Sequence, residues 1–169
     1  MFLAQLVILH ANTDVPAILV KESNQYQGPP LYAQTIGRQF APLSEIAVTH
    51  LGFYDSRLNG LTDKHEVGIW ENSGTLIVQA TVPSGSSVPL IGNFRYVPVP
   101  ISPPVTLLAG KTYVIGAFFY TSVDPCHEVS SLSSLTINPR IDPSSVLARE
   151  SNSGTYFVMP PIISDSAVA

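Results

Sequence analysis

Apolar residues in this chain come in short runs closed by Pro, Gly, Asn or Ser, and no stretch repeats them at helical spacing. Ten segments read as strands: Leu3–Leu9, Ala17–Val20, Thr35–Phe40, Glu45–Tyr54, Glu66–Glu71, Thr75–Val82, Gly92–Val99, Thr112–Tyr120, Leu132–Asn138 and Thr155–Met159. They are rich in Val, Ile, Thr or aromatic residues, which fit a pleated, half-buried surface. "ENSGT" at Glu71–Thr75 reads as a tight hairpin with Gly74 at positive φ. About ten short strands at this spacing predict an all-β fold, an antiparallel, jelly-roll-like β-sandwich, with a closed barrel as the lesser option.

Strict alternation puts Ile46, Val48, His50, Gly52 and Tyr54 on one side of a strand, and Ala47, Thr49, Leu51 and Phe53 on the other. Neither side is cleanly polar, so the strand is expected to be central and covered on both faces. Val67 and Ile69 against Gly68 and Trp70 read the same way. "YVPVPISPPV", Tyr96–Val105, holds too many prolines for a central strand and reads as an edge followed by a crossover. In "LLAGKTYVIGAF", the small Gly116 and Ala117 are expected to admit a bulky neighbour such as Trp70. No repeat or linker divides the chain, so residues 1–169 form one domain, with 160–169 reading as a mobile tail.

Composition narrows the functional classes. Charged residues are 12% of the chain, about half of the usual ~25%. A net charge of −4 with no basic stripe excludes nucleic acid as a partner. No apolar run reaches the ~20 residues that span a bilayer. The opening "MFLAQLVILHA" lacks a positive n-region and reads as a strand more readily than as part of a signal peptide. The single Cys126 rules out an internal disulfide. Abundant Ser and Thr with scarce Lys is a mix met in extracellular β-domains.

Eight segments, in order, carry a resemblance: Ile36–Phe40, Ile46–Asp55, Asn59–Leu61, His65–Trp70 ("HEVGIW"), Ser73–Ile77, Ala80–Pro83, Phe94–Val97 and Pro104–Ala117. Together they resemble an uncharacterised β-sandwich domain of secreted bacterial proteins, found beside carbohydrate-active modules or ahead of PEP-CTERM sorting tails. The resemblance covers Thr35–Tyr120 and implies an extracellular module with no established enzymatic activity.

The polar stretch Asp55–Glu66 is the chief candidate site. Asp55, Asn59 and Asp63 are spaced four apart, with His65 and Glu66 close behind. The first reading is turn chemistry, with Asp55 and Asn59-Gly60 at Asx-turn and positive-φ positions. The second is a calcium site on Asp55, Asn59 and Asp63, although the spacing is not that of an EF-hand. His10, His50, His65 and His127 have no zinc spacing, and His65 reads as a hydrogen-bond donor to the polar loop. Cys126-His127 has no orienting third group, and no G-x-S-x-G elbow is present. Asp55, Asp63 and Glu66 are the acids available for a glycosidase pair, but the sequence defines no cleft. Among the aromatics, Tyr26, Tyr32 and Tyr54 are the candidates for stacking on a sugar ring, whereas Trp70 reads as core.

These readings converge on a non-enzymatic extracellular or cell-surface module for binding or adhesion. Its expected partner is a polysaccharide or another envelope component. It requires no cofactor, with calcium as the one candidate. The alternative is a structural subunit that binds other copies of itself through Phe2, Leu3, Leu6, Val7, Ile8 and Leu9, an apolar strand with no Lys or Pro to blunt an edge.

Overall fold

The computed structural model describes residues 5–10, 13–21, 33–120, 124–125, 135–151 and 157–160. Two antiparallel sheets dominate. The first holds, in spatial order, β2 (Thr13–Pro16), β1 (Gln5–His10), β5 (Ile46–Tyr54), β9 (Phe94–Tyr96) and β8 (Leu90–Ile91), with β10 (Val105–Leu107) also pairing β5. The second has the order β13 (Leu147–Ser151), β4 (Gln34–Phe40), β11 (Tyr113–Phe119), β6 (His65–Glu71) and β7 (Leu76–Val82). A separate pair joins β12 (Leu135–Ile137) to β3 (Ile18–Val20). β5 packs over β6 and β7, and β1 over β11. The expected all-β sandwich is what forms, with thirteen strands among the described residues rather than ten.

The inner faces carry Ile36, Phe40, Phe53, Val67, Ile69, Ile115 and Phe119, each at 0–1% exposure. Burial of this apolar surface is the main drive to stack the sheets.

Strict alternation fails within β5. Val7 of β1 pairs His50, but Ile8 pairs Val48, so Thr49 is an extra residue. Such a bulge shifts the phase of the strand. It puts Ile46 and Val48 in the same core as Leu51 and Phe53, all at 0–1% exposure, with Ala47 and His50 half-buried. The Pro-rich stretch also differs from expectation. It does not cross over at once but runs along one side of β5: β9 pairs Gly52–Tyr54, Val97 donates to Leu51 O, Ile101 to Thr49 O, and β10 pairs Ile46–Val48.

The Glu71–Thr75 hairpin forms as expected. Glu71 N donates to Thr75 O at 2.9 Å, Gly74 N to Glu71 O at 2.9 Å, and Gly74 has φ +101°. Trp70 is buried at 4%, but it lies outside the inter-sheet cluster, its ring tilted against Phe157 with centroids 4.8 Å apart. A Cβ on Gly116 would meet Trp70 Cζ3 at 3.2 Å and Pro160 Cδ at 3.3 Å, so the small residue does admit the indole. Residues 157–160 form no strand. They cover the outer face of the second sheet; Thr155 and Tyr156 lie outside the described residues, as do residues 161–169.

Candidate polar recess at the loop end

The chain passes from the first sheet to the second through residues 55–64, and returns through residues 83–89. Both connections lie at one end of the sandwich, bridged by Gly85 N donating to Leu61 O at 2.8 Å. Asp55 leaves β5 almost fully buried, at 3% exposure. Its Oδ2 accepts from Gly60 N and from Arg95 Nε, both at 2.9 Å. Leu58 at φ +57° and Gly60 at φ +103° let the loop curl back over that carboxylate. Of the turn chemistry read from the sequence, Gly60 does take the positive φ, but Leu58 rather than Asn59 shares it, and Asp55 accepts from five residues on rather than in an Asx-turn.

Arg95 stands opposite Phe53 in the β5–β9 register. Its Nη1 donates to Ser86 O at 2.7 Å and Val88 O at 2.9 Å, and its Nη2 to Leu58 O at 3.3 Å. One guanidinium thus ties both connections together, with Asp55 as counter-charge.

A second anchor stands beside it. Asp124 accepts from Thr62 N at 2.9 Å, Asp63 N at 2.9 Å and His65 Nε2 at 3.0 Å. The other ring nitrogen of His65 faces Phe118 O at 2.9 Å. Burial by itself would raise the Asp124 carboxyl; the His65 hydrogen bond and the two backbone N–H groups outweigh it and leave the carboxyl below its ordinary value. His65 lies at the start of β6, 2% exposed and stacked on Phe53. Its ring partners are Phe118 and Asp124 rather than the polar loop itself, which shares Asp124 with it through Thr62 N and Asp63 N.

Between these anchors a polar recess of about 40 Å³ opens, lined by Asp55, Ser56, Asn59, Thr62, Asp124 and Pro125 among others. Ser56 Oγ is buried there with no hydrogen-bond partner. Of the three residues expected to hold calcium, Asp55 and Asn59 reach the recess and Asp63 does not line it. Asp55 also faces a guanidinium, which opposes a second cation on the same carboxylate. Among the described residues, no three His, Cys, Asp or Glu side chains converge as a metal cluster.

The stacking candidates fare differently. Tyr54 lines the recess, but it is only 5% exposed with its ring tilted on Phe94, centroids 5.3 Å apart, which leaves little of it to stack on a sugar. Burial, opposed by a hydrogen bond from Asn93, raises its hydroxyl above the ordinary value. Tyr26 and Tyr32 lie outside the described residues, as do Phe2, Leu3, Cys126 and His127. Leu6, Val7, Ile8 and Leu9 fall in β1, where Val7–Leu9 pair with β2 on one side and β5 on the other. Over Val7–Leu9 both edges of that strand are thus occupied, whereas Leu6 pairs β5 alone.

Arg95 and Asp124 escaped the sequence reading. A lone Arg between aromatics in "NFRYV" and a lone Asp before Pro in "SVDPC" are the only local signals, since a single charge in an apolar setting is a candidate buried partner.

No curated protein and no solved structure matches the chain. A family model does match, over residues 22–157, about four-fifths of the sequence and wider than the Thr35–Tyr120 resemblance. With that span and this sandwich, the chain belongs to the family described as a domain of unknown function, DUF4082.

Proposed function

We propose that the chain is an extracellular, non-enzymatic recognition module whose ligand is a polysaccharide or another hydroxyl-rich envelope component. One observation carries the reading: two anchored carboxylates and the exposed Asn59 open onto one polar recess at the loop end of a rigid sandwich. Carboxylate and amide oxygens accept from hydroxyl groups, which is how neutral sugars present themselves. A volume of about 40 Å³ admits one or two small polar groups, so the recess grips a hydroxyl while the rest of the ligand lies across the loops. Loops on a rigid scaffold are the usual seat of recognition.

The same geometry argues against hydrolysis. A glycosidase needs one carboxyl kept protonated near neutral pH. Asp124 is held in the opposite direction by the His65 hydrogen bond and two backbone N–H groups. The low charge content and the resemblance to secreted bacterial domains support an extracellular setting. Self-assembly through the N-terminal strand has less support, because β1 is paired on both sides over Val7–Leu9.

Glycan arrays and polysaccharide pull-downs with the whole chain test the reading. Retention on at least one polysaccharide, weakened by Asn59→Ala, is expected. No retention across neutral and acidic glycans counts against it.

A further inference from the structure

Arg38 is the largest fully buried side chain among the described residues, at 0% exposure. It sits on β4 between Ile36 and Phe40, opposite Ile115 of β11 and Ala148 of β13. Ile36, Phe40 and Ile115 all belong to the inter-sheet core, so the alternation of β4 points Arg38 into the same interior. Its Nε, Nη1 and Nη2 are all buried without a hydrogen-bond partner. Burial lowers its pKa to about 10, with no neighbouring anion offsetting that, and the group still carries its charge at neutral pH.

Arg95 shows that this fold can satisfy a buried guanidinium, since all three of its nitrogens are engaged. An isolated buried ion is among the most costly arrangements in a protein interior, and a planar guanidinium pairs best with a two-oxygen anion in a fork. We infer that Arg38 anchors an internal anion site between the sheets, which takes a single carboxylate or an oxyanion of similar size. The site is separate from the loop-end recess. β13 alone separates β4 from that edge of the sheet.

One internal rival has a defined place. Glu150 of β13 pairs Ile36, two pairs along from the Ala148–Arg38 pair. The experiment therefore needs arms that separate a diffusible anion from a carboxylate of the chain. Formate serves as the probe, titrated into the whole protein at fixed ionic strength while thermal unfolding is followed. A ligand that binds only the folded state raises the melting temperature in a saturable way.

The wild type is expected to gain several degrees and then saturate. Arg38→Met should melt higher than the wild type without formate, because an unpaired buried charge has been replaced by apolar volume, and should ignore the titration. Arg38→Lys keeps the charge but not the fork, and should respond weakly; it carries the test if Arg38→Met does not fold. Glu150→Gln should keep the full response. A flat wild-type titration overturns the inference, as does an equal response in Arg38→Met. So does a destabilised Glu150→Gln rescued by formate while the wild type stays flat, since Glu150 would then be the counter-charge.

Discussion

Arg95 Nε lies 2.9 Å from Asp55 Oδ2, with both side chains at or below 6% exposure, and this pair fastens two connections that run in opposite directions between the sheets. Its worth is asymmetric. Removing one member leaves the other buried, charged and unpaired, which costs far more than the pair contributes against an apolar replacement of both. Asp55→Ala is expected to lower unfolding free energy by about 3–5 kcal/mol. Arg95→Met should act similarly, because it also orphans the carbonyls of Ser86 and Val88. Denaturant unfolding of the two variants measures this.

Asp124 gives the fold an acid limit. Its folded-state pKa lies below the ordinary carboxylate value. The associated stability is present above the unfolded-state pKa, about 3.9, and is lost as pH falls through the lower folded value. Asp124→Asn should therefore cost about 1–3 kcal/mol at neutral pH. It should also flatten the decline of stability on the acid side. Unfolding curves at neutral pH and near pH 3 check both halves; an equally steep decline in the variant would show that the His65–Asp124 contact is not the titrating element.

Two glycines separate a backbone clash from a side-chain clash. A Cβ on Gly37 would fall on the Ile115 carbonyl oxygen of the paired strand, which cannot move without breaking the β4–β11 ladder. A Cβ on Gly68 would meet side chains alone, the ring tip of Phe157 at 2.7 Å and Leu76 Cδ1 at 3.1 Å, and these can shift aside. Gly37→Ala should then destabilise by more than ~3 kcal/mol and Gly68→Ala by about 1 kcal/mol. Melting temperatures of the two proteins give the comparison.

Calcium removal should leave stability unchanged. Arg95 already supplies the positive charge at Asp55, and Asp63 stands outside the recess. A melting temperature that falls on adding EDTA and recovers with calcium would reverse this reading.

Most of the fold was legible because strand alternation and turn residues are local signals. Gly74 and the "VGIW" and "YVIGAFF" runs sit where the pattern put them. The failures have physical causes. The bulge at Thr49 needs the partner strand to be seen, since nothing in "AVTHL" marks the extra residue. "TDVP" of β2 holds a charge and a proline, which propensity rejects but an edge tolerates. The Pro-rich stretch could keep to β5 because a few backbone bonds on one side suffice for a broken strand. At the site, Asp55 could be read from its own loop. Arg95 and Asp124 could not, because they come from 40 and 62 residues away from the loop groups that they hold, Asp55 and Thr62.

The direct test of the functional account is equilibrium binding of the whole chain to the polysaccharide that retains it best, compared with Asn59→Ala. Asn59 is exposed and lines the recess, so its truncation should spare the fold. About tenfold weaker binding at unchanged melting temperature is the predicted result. Identical affinity in the two proteins would contradict recognition at this recess.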